Sequence, residues 1–329
     1  MVQNIPKAEL HCHIEGAAHP DLVVRLARKY DVDVSDIVDG KGGYVWSDFT
    51  TFLQAYDRAS SVFRTPDDYR LLTYDHYSRL ADQNCIYAEV FASPDHAALM
   101  GIGYRDLINA MADGIEDAKA ETQIEGRIIV VGLRHLGPEA VENTASLVVE
   151  NPHPKVTGFG MAGDERQYSA EDFIDAFAHA EDGGLKITSH AGELCDASSV
   201  DETLDVLGVE RIGHGVRAIE DIALVERIAR EGVVLETCPG SNIALEVFPD
   251  FESHPFNRLR DLGVTVTLNS DDPPYFHTSL SREYEIARQS FGCSDEELIG
   301  FTRTALDAAF VDEPTRALLH KRLENWPKS

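Results

Sequence analysis

The chain has 329 residues, 43% of them hydrophobic, with a formal net charge of −28 and five cysteines. That is length for one large domain or two ordinary ones, and a surface this acidic repels phosphate backbones, which sets nucleic acid aside as a partner. No apolar run approaches the roughly 20 residues of a membrane span, and the first six residues carry no basic-then-apolar leader. The cysteines, at 12, 85, 195, 238 and 293, are scattered and odd in number. They read as reduced thiols of a cytoplasmic protein with no membrane partner. The acidity is spread along the chain rather than gathered in a tail, as a solubility device would be.

The first β-rich segment, 8–15, ends in His11-Cys12-His13. In a strand, positions i and i+2 share a face. His11, His13 and then Glu15 therefore point one way, while Cys12 and Ile14 point towards covering helices. Two adjacent imidazoles suit a divalent transition metal, although a lone HxH also arises by chance. A long crossover follows, 16–84, with Trp46, Phe49, Phe52, Leu53, Tyr56 and Phe63 at helical spacing. This stripe reads either as plain core or as a lid over a site that must exclude water.

Further strands are expected at 85–93, 126–135, 156–163, 185–193, 211–216, 233–242 and 264–272, with amphipathic helical runs such as 172–180, 221–231 and 256–262 between them. Strands alternating with helices imply parallel βαβ units. Eight units in one domain-sized chain imply an α/β fold of the TIM (β/α)₈ type, a single domain over 1–329 with extra helices after strand one and at the C-terminus. A doubly wound open sheet is the alternative. Gly158 to Gly163 spells GxGxxG after a strand, but the next helix start, Ser169 with Asp172 as its capping partner, comes late for a dinucleotide fingerprint. Ser294 to Glu297 is a capping box opening the closing helices.

The strand ends carry the chemistry. Segment 185–193 ends in Ser-His190-Ala-Gly-Glu193, and 211–216 holds His214 between glycines, which permit close approach of backbone or ligand. In 264–272, Thr265, Thr267, Asn269 and Asp271 alternate with Val264, Val266 and Leu268. The apolar face must pack on helices, so the polar face points inward and brings Asp271 and Asp272 to the mouth beside strand one. Two adjacent buried carboxylates need a cation or a proton. Three histidines and an aspartate thus gather where barrel enzymes place their sites, with Glu193, His214 and Asp272 left over for acid–base work.

At this point the chain resembles the adenosine/adenine deaminases of the metal-dependent amidohydrolase superfamily over nearly its whole length. The matching segments are PKAELHCHIEG (6–16), GFGMAGDE (158–165), SHAGE (189–193), RIGHGVRA (211–218), CPGSN (238–242) and NSDDP (269–273). The resemblance implies one zinc ion per subunit, held by His11, His13, His190 and Asp271 and supplying an activated water. It gives Glu193 the protonation of purine N1, His214 the orienting and deprotonation of the water, and Asp272 the water and N7. It gives the Gly163 amide a bond to N3, and it makes Phe49, Phe52, Leu53 and Tyr56 an apolar lid. Relatives with two metals bridge them by a modified lysine at the end of strand four. Here that strand has only Lys155, at its start, which implies one metal. The unrelated zinc deaminases with a P-C-x-x-C signature are set aside, because Cys238-Pro239 does not supply it.

The implied reaction is hydrolytic deamination at C6 of a 6-aminopurine, in purine salvage. Substrate-reading positions divide. Nucleoside enzymes usually show HxHxD, where the aspartate meets the ribose 5′ hydroxyl, whereas this chain has Glu15. Its strand-four segment, Ala162-Gly163-Asp164-Glu165, is similar to the nucleoside group. The expectation leans to adenosine or deoxyadenosine, giving inosine or deoxyinosine and ammonia. Adenine or a modified adenine nucleoside is the alternative substrate, and a non-catalytic purine- or metal-binding barrel is the distant one. The sequence carries no expectation for oligomeric state.

Overall fold

In the computed structural model, which describes residues 2–326, eight parallel strands lie side by side in chain order. They are β1 (Lys7–Glu9), β2 (Cys85–Ala92), β3 (Glu125–Leu133), β4 (Val156–Ala162), β5 (Lys186–Ala191), β6 (Arg211–His214), β7 (Val234–Thr237) and β8 (Thr265–Leu268). A doubly wound sheet would reverse its strand order at a switch point. The unbroken order instead makes a (β/α)₈ barrel, whose site lies at the C-terminal ends of the strands.

The barrel closes at that same end. Leu10 N donates to Asn269 Oδ1 at 2.8 Å, Asp271 N donates to the His11 carbonyl at 3.1 Å, and His13 N donates to the Asp271 carbonyl at 3.1 Å. Closure is therefore made by the segments that carry the histidines and aspartate.

Three strands are much shorter than their sequence pattern. The 8–15 segment keeps regular pairing only as β1, then continues through isolated bridges at Cys12 and His13. The 233–242 segment leaves the sheet after Thr237, because Pro239 opens a short helix, Pro239–Ala244. Proline has no N–H to give a ladder, and its fixed φ suits a first helical turn. Similarly, β8 stops at Leu268. Asp271 reaches the mouth through a left-handed turn, with φ 62°, rather than by strand alternation. His214, at the end of β6, is likewise left-handed, with φ 61°. Both residues carry the kind of local strain that accumulates at functional positions.

The long crossover forms α1 (Pro20–Tyr30), α2 (Phe49–Ser60) and α3 (Pro66–Asp82). Reciprocal capping boxes start α2, with Asp48 and Thr51, and α3, with Thr65 and Asp68. The helical runs between later strands appear as Ile174–Asp182, Ile222–Glu231 and Phe256–Asp261. At the far end, Ser294 and Glu297 form the expected box on Asp295–Ala308, followed by Glu313–Glu324. Among the described residues no helix is long and apolar enough to cross a membrane.

Low in the barrel, Arg211 is fully buried between Glu89 and Glu236, 2.6 Å from each, and stacks on Phe310 at 3.6 Å. Such a charge is tolerable inside because both flanking carboxylates are paired with it.

Candidate active site

The end of the first-strand segment, β5 and the turn after β8 bring His11, His13, His190 and Asp271 together. Asp271 Oδ1 lies 3.5 Å from His11 Nε2 and 3.4 Å from His13 Nε2. His13 Nε2 lies 3.3 Å from His190 Nε2. Gly213, paired with His190 across β5 and β6, makes room for the rings. A Cβ there would sit 2.8 Å from His11 Cε1 and 3.1 Å from His190 Nδ1.

The outer nitrogens of two of these rings are committed. His11 Nδ1 faces Glu236 Oε2 at 2.8 Å, and His190 Nδ1 faces the Met161 carbonyl at 2.9 Å. Both partners only accept, so each Nδ1 carries the hydrogen and each Nε2 turns a lone pair to the centre. His11 Nε2 is buried with no hydrogen-bond partner. The His11 and His13 nitrogens beside one carboxylate, with His190 against His13 and His11 Nε2 left without a partner, make a donor set that could hold a divalent cation. Burial works against the Asp271 carboxylate, yet protonated His11, raised against burial to about 10 by Asp271 and Glu236, holds it well below the ordinary range. A cation would take that proton's place and free the Nε2 lone pair.

His214 also lies within ligand distance of His11, His190 and Asp271, but its hydrogen sits elsewhere. The Phe256 amide donates to His254 Nδ1 at 3.3 Å. Neutral His254, which burial lowers to about 3, must then carry its hydrogen on Nε2, which faces Asn242 Oδ1 at 3.1 Å. That fixes the Asn242 amide, so its Nδ2 donates to His214 Nδ1 at 3.3 Å. Burial lowers His214 to about 3 against the pull of Asp271. The neutral ring therefore presents Nε2–H, 3.6 Å from Glu193 Oε1 and 3.9 Å from Asp271 Oδ2. It is a hydrogen-bond donor to the site rather than a lone pair for a metal.

Glu193 is buried, and its carboxyl is pushed well above the carboxylate range by burial, then by Asp271 and Glu165. Asp272 is raised in the same way, by burial and then Asp271, and its Oδ1 has no partner. Gly16 explains the glycine of the HCHIEG segment, since a Cβ there would overlap Asp272 Oδ1. One ionised and two protonatable carboxyls thus sit side by side, the environment that separates acid roles from ligand roles.

Above the centre is a cavity of about 150 Å³ lined by His13, His190, Glu193, His214, Asp271, Asp272, Gly163 and, from α2, Phe49, Phe52, Leu53 and Tyr56. The aromatic stripe therefore divides. Those four residues roof the cavity, whereas Phe63 is wholly buried core and Trp46 donates to the Tyr275 carbonyl. His96, His135 and Asp57 also reach the cavity wall, and nothing in their sequence spacing signals it. Glu15 does not line the cavity. It is 2% exposed and accepts from Tyr69 Oη at 3.1 Å. Lys155 pairs with Glu116 at 2.5 Å. The first glycine of the GxGxxG run serves packing, since a Cβ on Gly158 would meet Ile129 and Phe310 at 2.8 Å, and the last, Gly163, lies on the cavity wall.

Comparison with known proteins points to one family. The sequence model of the family described as adenosine deaminase matches residues 6–326. An adenine deaminase of Sinorhizobium medicae is 56% identical over 97% of this chain and 98% of that protein. One from Chelativorans sp. is also 56% identical, over 97% and 98%. Among solved structures, the adenine deaminase from Arthrobacter aurescens superposes with a TM-score of 0.90 at 27% identity, covering 99% of this chain and 100% of that one. A zinc-bound amidohydrolase from Burkhoderia ambifaria gives 0.88 at 27% identity, covering 99% and 92%. The chain belongs to the adenosine deaminase family of metal-dependent hydrolytic deaminases.

Proposed function

We propose that this protein is a zinc-dependent adenine deaminase, a single barrel domain converting adenine and water to hypoxanthine and ammonia in cytoplasmic purine salvage. The lean of the sequence towards adenosine gives way to the adenine alternative. The observation that carries this is Glu15: the side chain at the position that meets a ribose in nucleoside enzymes is turned away from the cavity and bonded to Tyr69. The cavity volume, about 150 Å³, supports the same reading, being the scale of a small planar ring and well below a drug-sized pocket. The relatives named adenine deaminase, 51–56% identical over nearly the whole chain, agree.

His11, His13, His190 and Asp271 would hold the zinc, which supplies a water activated near neutrality. Protonated Glu193 donates to purine N1, so the ring accepts the electrons of attack at C6. Glu193, made a carboxylate by that donation, takes the proton the attacking water loses, and the hydroxyl proton of the C6 adduct leaves with the amine as ammonia. His214 holds the attacking oxygen through Nε2–H. This keeps the orienting half of the role the resemblance implied and drops the deprotonating half. Asp272, kept protonated beside Asp271, donates to N7, and the Gly163 amide is placed for N3. The α2 roof excludes water from the leaving amine.

The test is turnover of adenine, adenosine and deoxyadenosine by zinc-loaded protein, followed by the ultraviolet change to the 6-oxo product. A site shaped for the free base favours adenine in kcat/KM by about 1,000-fold or more. Equal or reversed preference restores the nucleoside reading, and no turnover of any of the three removes the substrate class.

A further inference from the structure

We infer that Glu165 is a positioning residue for Glu193: its buried carboxylate gathers the backbone of the loop after β5 and so aims the Glu193 carboxyl at the substrate. The inference rests on the reading of Glu193 as the proton donor.

Glu165 follows β4 and is 3% exposed. Its Oε1 accepts from Gly192 N at 2.5 Å and from Ser199 Oγ at 2.6 Å. Its Oε2 accepts from Glu193 N at 3.1 Å, Leu194 N at 2.7 Å and Cys195 N at 3.0 Å. Four successive amides therefore converge on one side chain nearly 30 residues upstream, filling a carboxylate's acceptor capacity with a hydroxyl besides. Gly192 permits the turn, with φ 68°, and a Cβ there would lie 2.4 Å from Val200 Cγ2. Buried Arg134 is attracted by the charge of this carboxylate, and it donates from Nη1 to the Tyr168 carbonyl and from Nη2 to the His190 carbonyl, at 3.4 Å each. The ends of β4 and β5 are thus tied together at the residues that carry the site.

Glu193 needs this support. Among the described residues no hydrogen bond reaches its side chain, which only approaches His214 Nε2 at 3.6 Å. A carboxyl left free to meet a ligand is aimed by the backbone beneath it, and that backbone is set by Glu165. Only a carboxylate suits the place. Glutamine would turn an amide N–H₂ towards amides that also donate, and aspartate is one methylene short.

The experiment compares wild type, Glu165→Gln, Glu193→Gln and the double variant, all zinc-loaded, with adenine as substrate and enzyme in excess so that slow single turnovers are counted. Glu165→Gln is expected to lower kcat about 100-fold, the cost of a reacting group displaced by about 1 Å, with KM within about threefold and zinc content unchanged. In the Glu193→Gln background the same substitution should cost less than about threefold, because no proton remains to be aimed. Equal costs in both backgrounds, an unchanged kcat, or loss of zinc would each overturn the inference. If Glu165→Gln does not fold, Ser199→Ala removes one donor and leaves the loop. Its smaller kcat loss must likewise vanish beside Glu193→Gln. A Glu193→Gln enzyme as fast as wild type would instead overturn the role given to Glu193, a separate failure.

Discussion

Three imidazoles in one centre are told apart by what their Nδ1 atoms touch. His11 and His190 meet acceptors, Glu236 and the Met161 carbonyl, and so offer lone pairs at Nε2. His214 meets a donor, Asn242, whose amide is turned by His254, and so offers a hydrogen. Asn242→Asp replaces that donor with an acceptor and moves the hydrogen to Nδ1. The expected result is a loss of about 10- to 100-fold in kcat/KM with zinc retained, and nitrogen shifts of His214 that change from the Nε2–H to the Nδ1–H tautomer. An unchanged tautomer in the variant would refute the relay. That these rings would meet was legible in the sequence, because each stands at the end of a strand segment and a barrel gathers those ends at one mouth. Their orienting partners were not, because His11 and Glu236 are 225 residues apart in the chain, and only closure of the barrel makes them neighbours. A weak signal existed for Glu236: a charged residue in the short, otherwise apolar start of β7, Val-Leu-Glu, has to point inward and find a partner.

At the scale of elements, alternation placed eight strands but misjudged where they stop, because the site is built from the departures. Pro239 ends the β7 segment early, and the helix it starts receives Glu283 from the helix Leu280–Gln289. Gly240 N donates to Glu283 Oε2 at 3.0 Å, and a Cβ on Gly240 would lie 2.3 Å from Oε1. Burial raises the Glu283 carboxyl to about 7, against bonds from Thr278 and Gly240 that lower it. Because the folded value is raised, the native protein holds a proton that the unfolded chain releases above about 4.5. The stability this contributes is full below that pH and is lost as pH rises through about 7. Urea unfolding of wild type and Glu283→Gln between about pH 5 and pH 8 should show the wild type losing up to about 3 kcal/mol relative to the variant. A difference that is flat with pH, or that grows in favour of the wild type, would contradict a protonated Glu283.

For the whole molecule, the weak place is the seam between β8 and β1. Every other neighbouring pair shares a ladder, but this seam carries one isolated bridge, Cys12 to Asp271. The rest of its closure is made by Asn269, Asp271 and Ser270, the last donating from N and Oγ to Glu9 Oε1 at 2.8 and 2.5 Å. The proposed metal ligands lie on both sides of it, His11 and His13 on one and Asp271 on the other, about 260 residues apart in the chain. A divalent cation would therefore staple the first strand to the last, across the longest loop the barrel closes, and neutralise the carboxylate buried there. Binding at about 1,000 times Kd stabilises by about 4 kcal/mol, and for a chain this long each kcal/mol moves Tm by about 2 °C or less. Stripping the metal with a chelator should then lower Tm by several degrees, reversed by adding zinc back. Amide hydrogen exchange should quicken first in 9–14 and 268–272, while β3 to β5, joined by full ladders, stay protected. A Tm indifferent to metal, or protection lost first in β3 to β5, would mean that the cation serves the chemistry without closing the barrel.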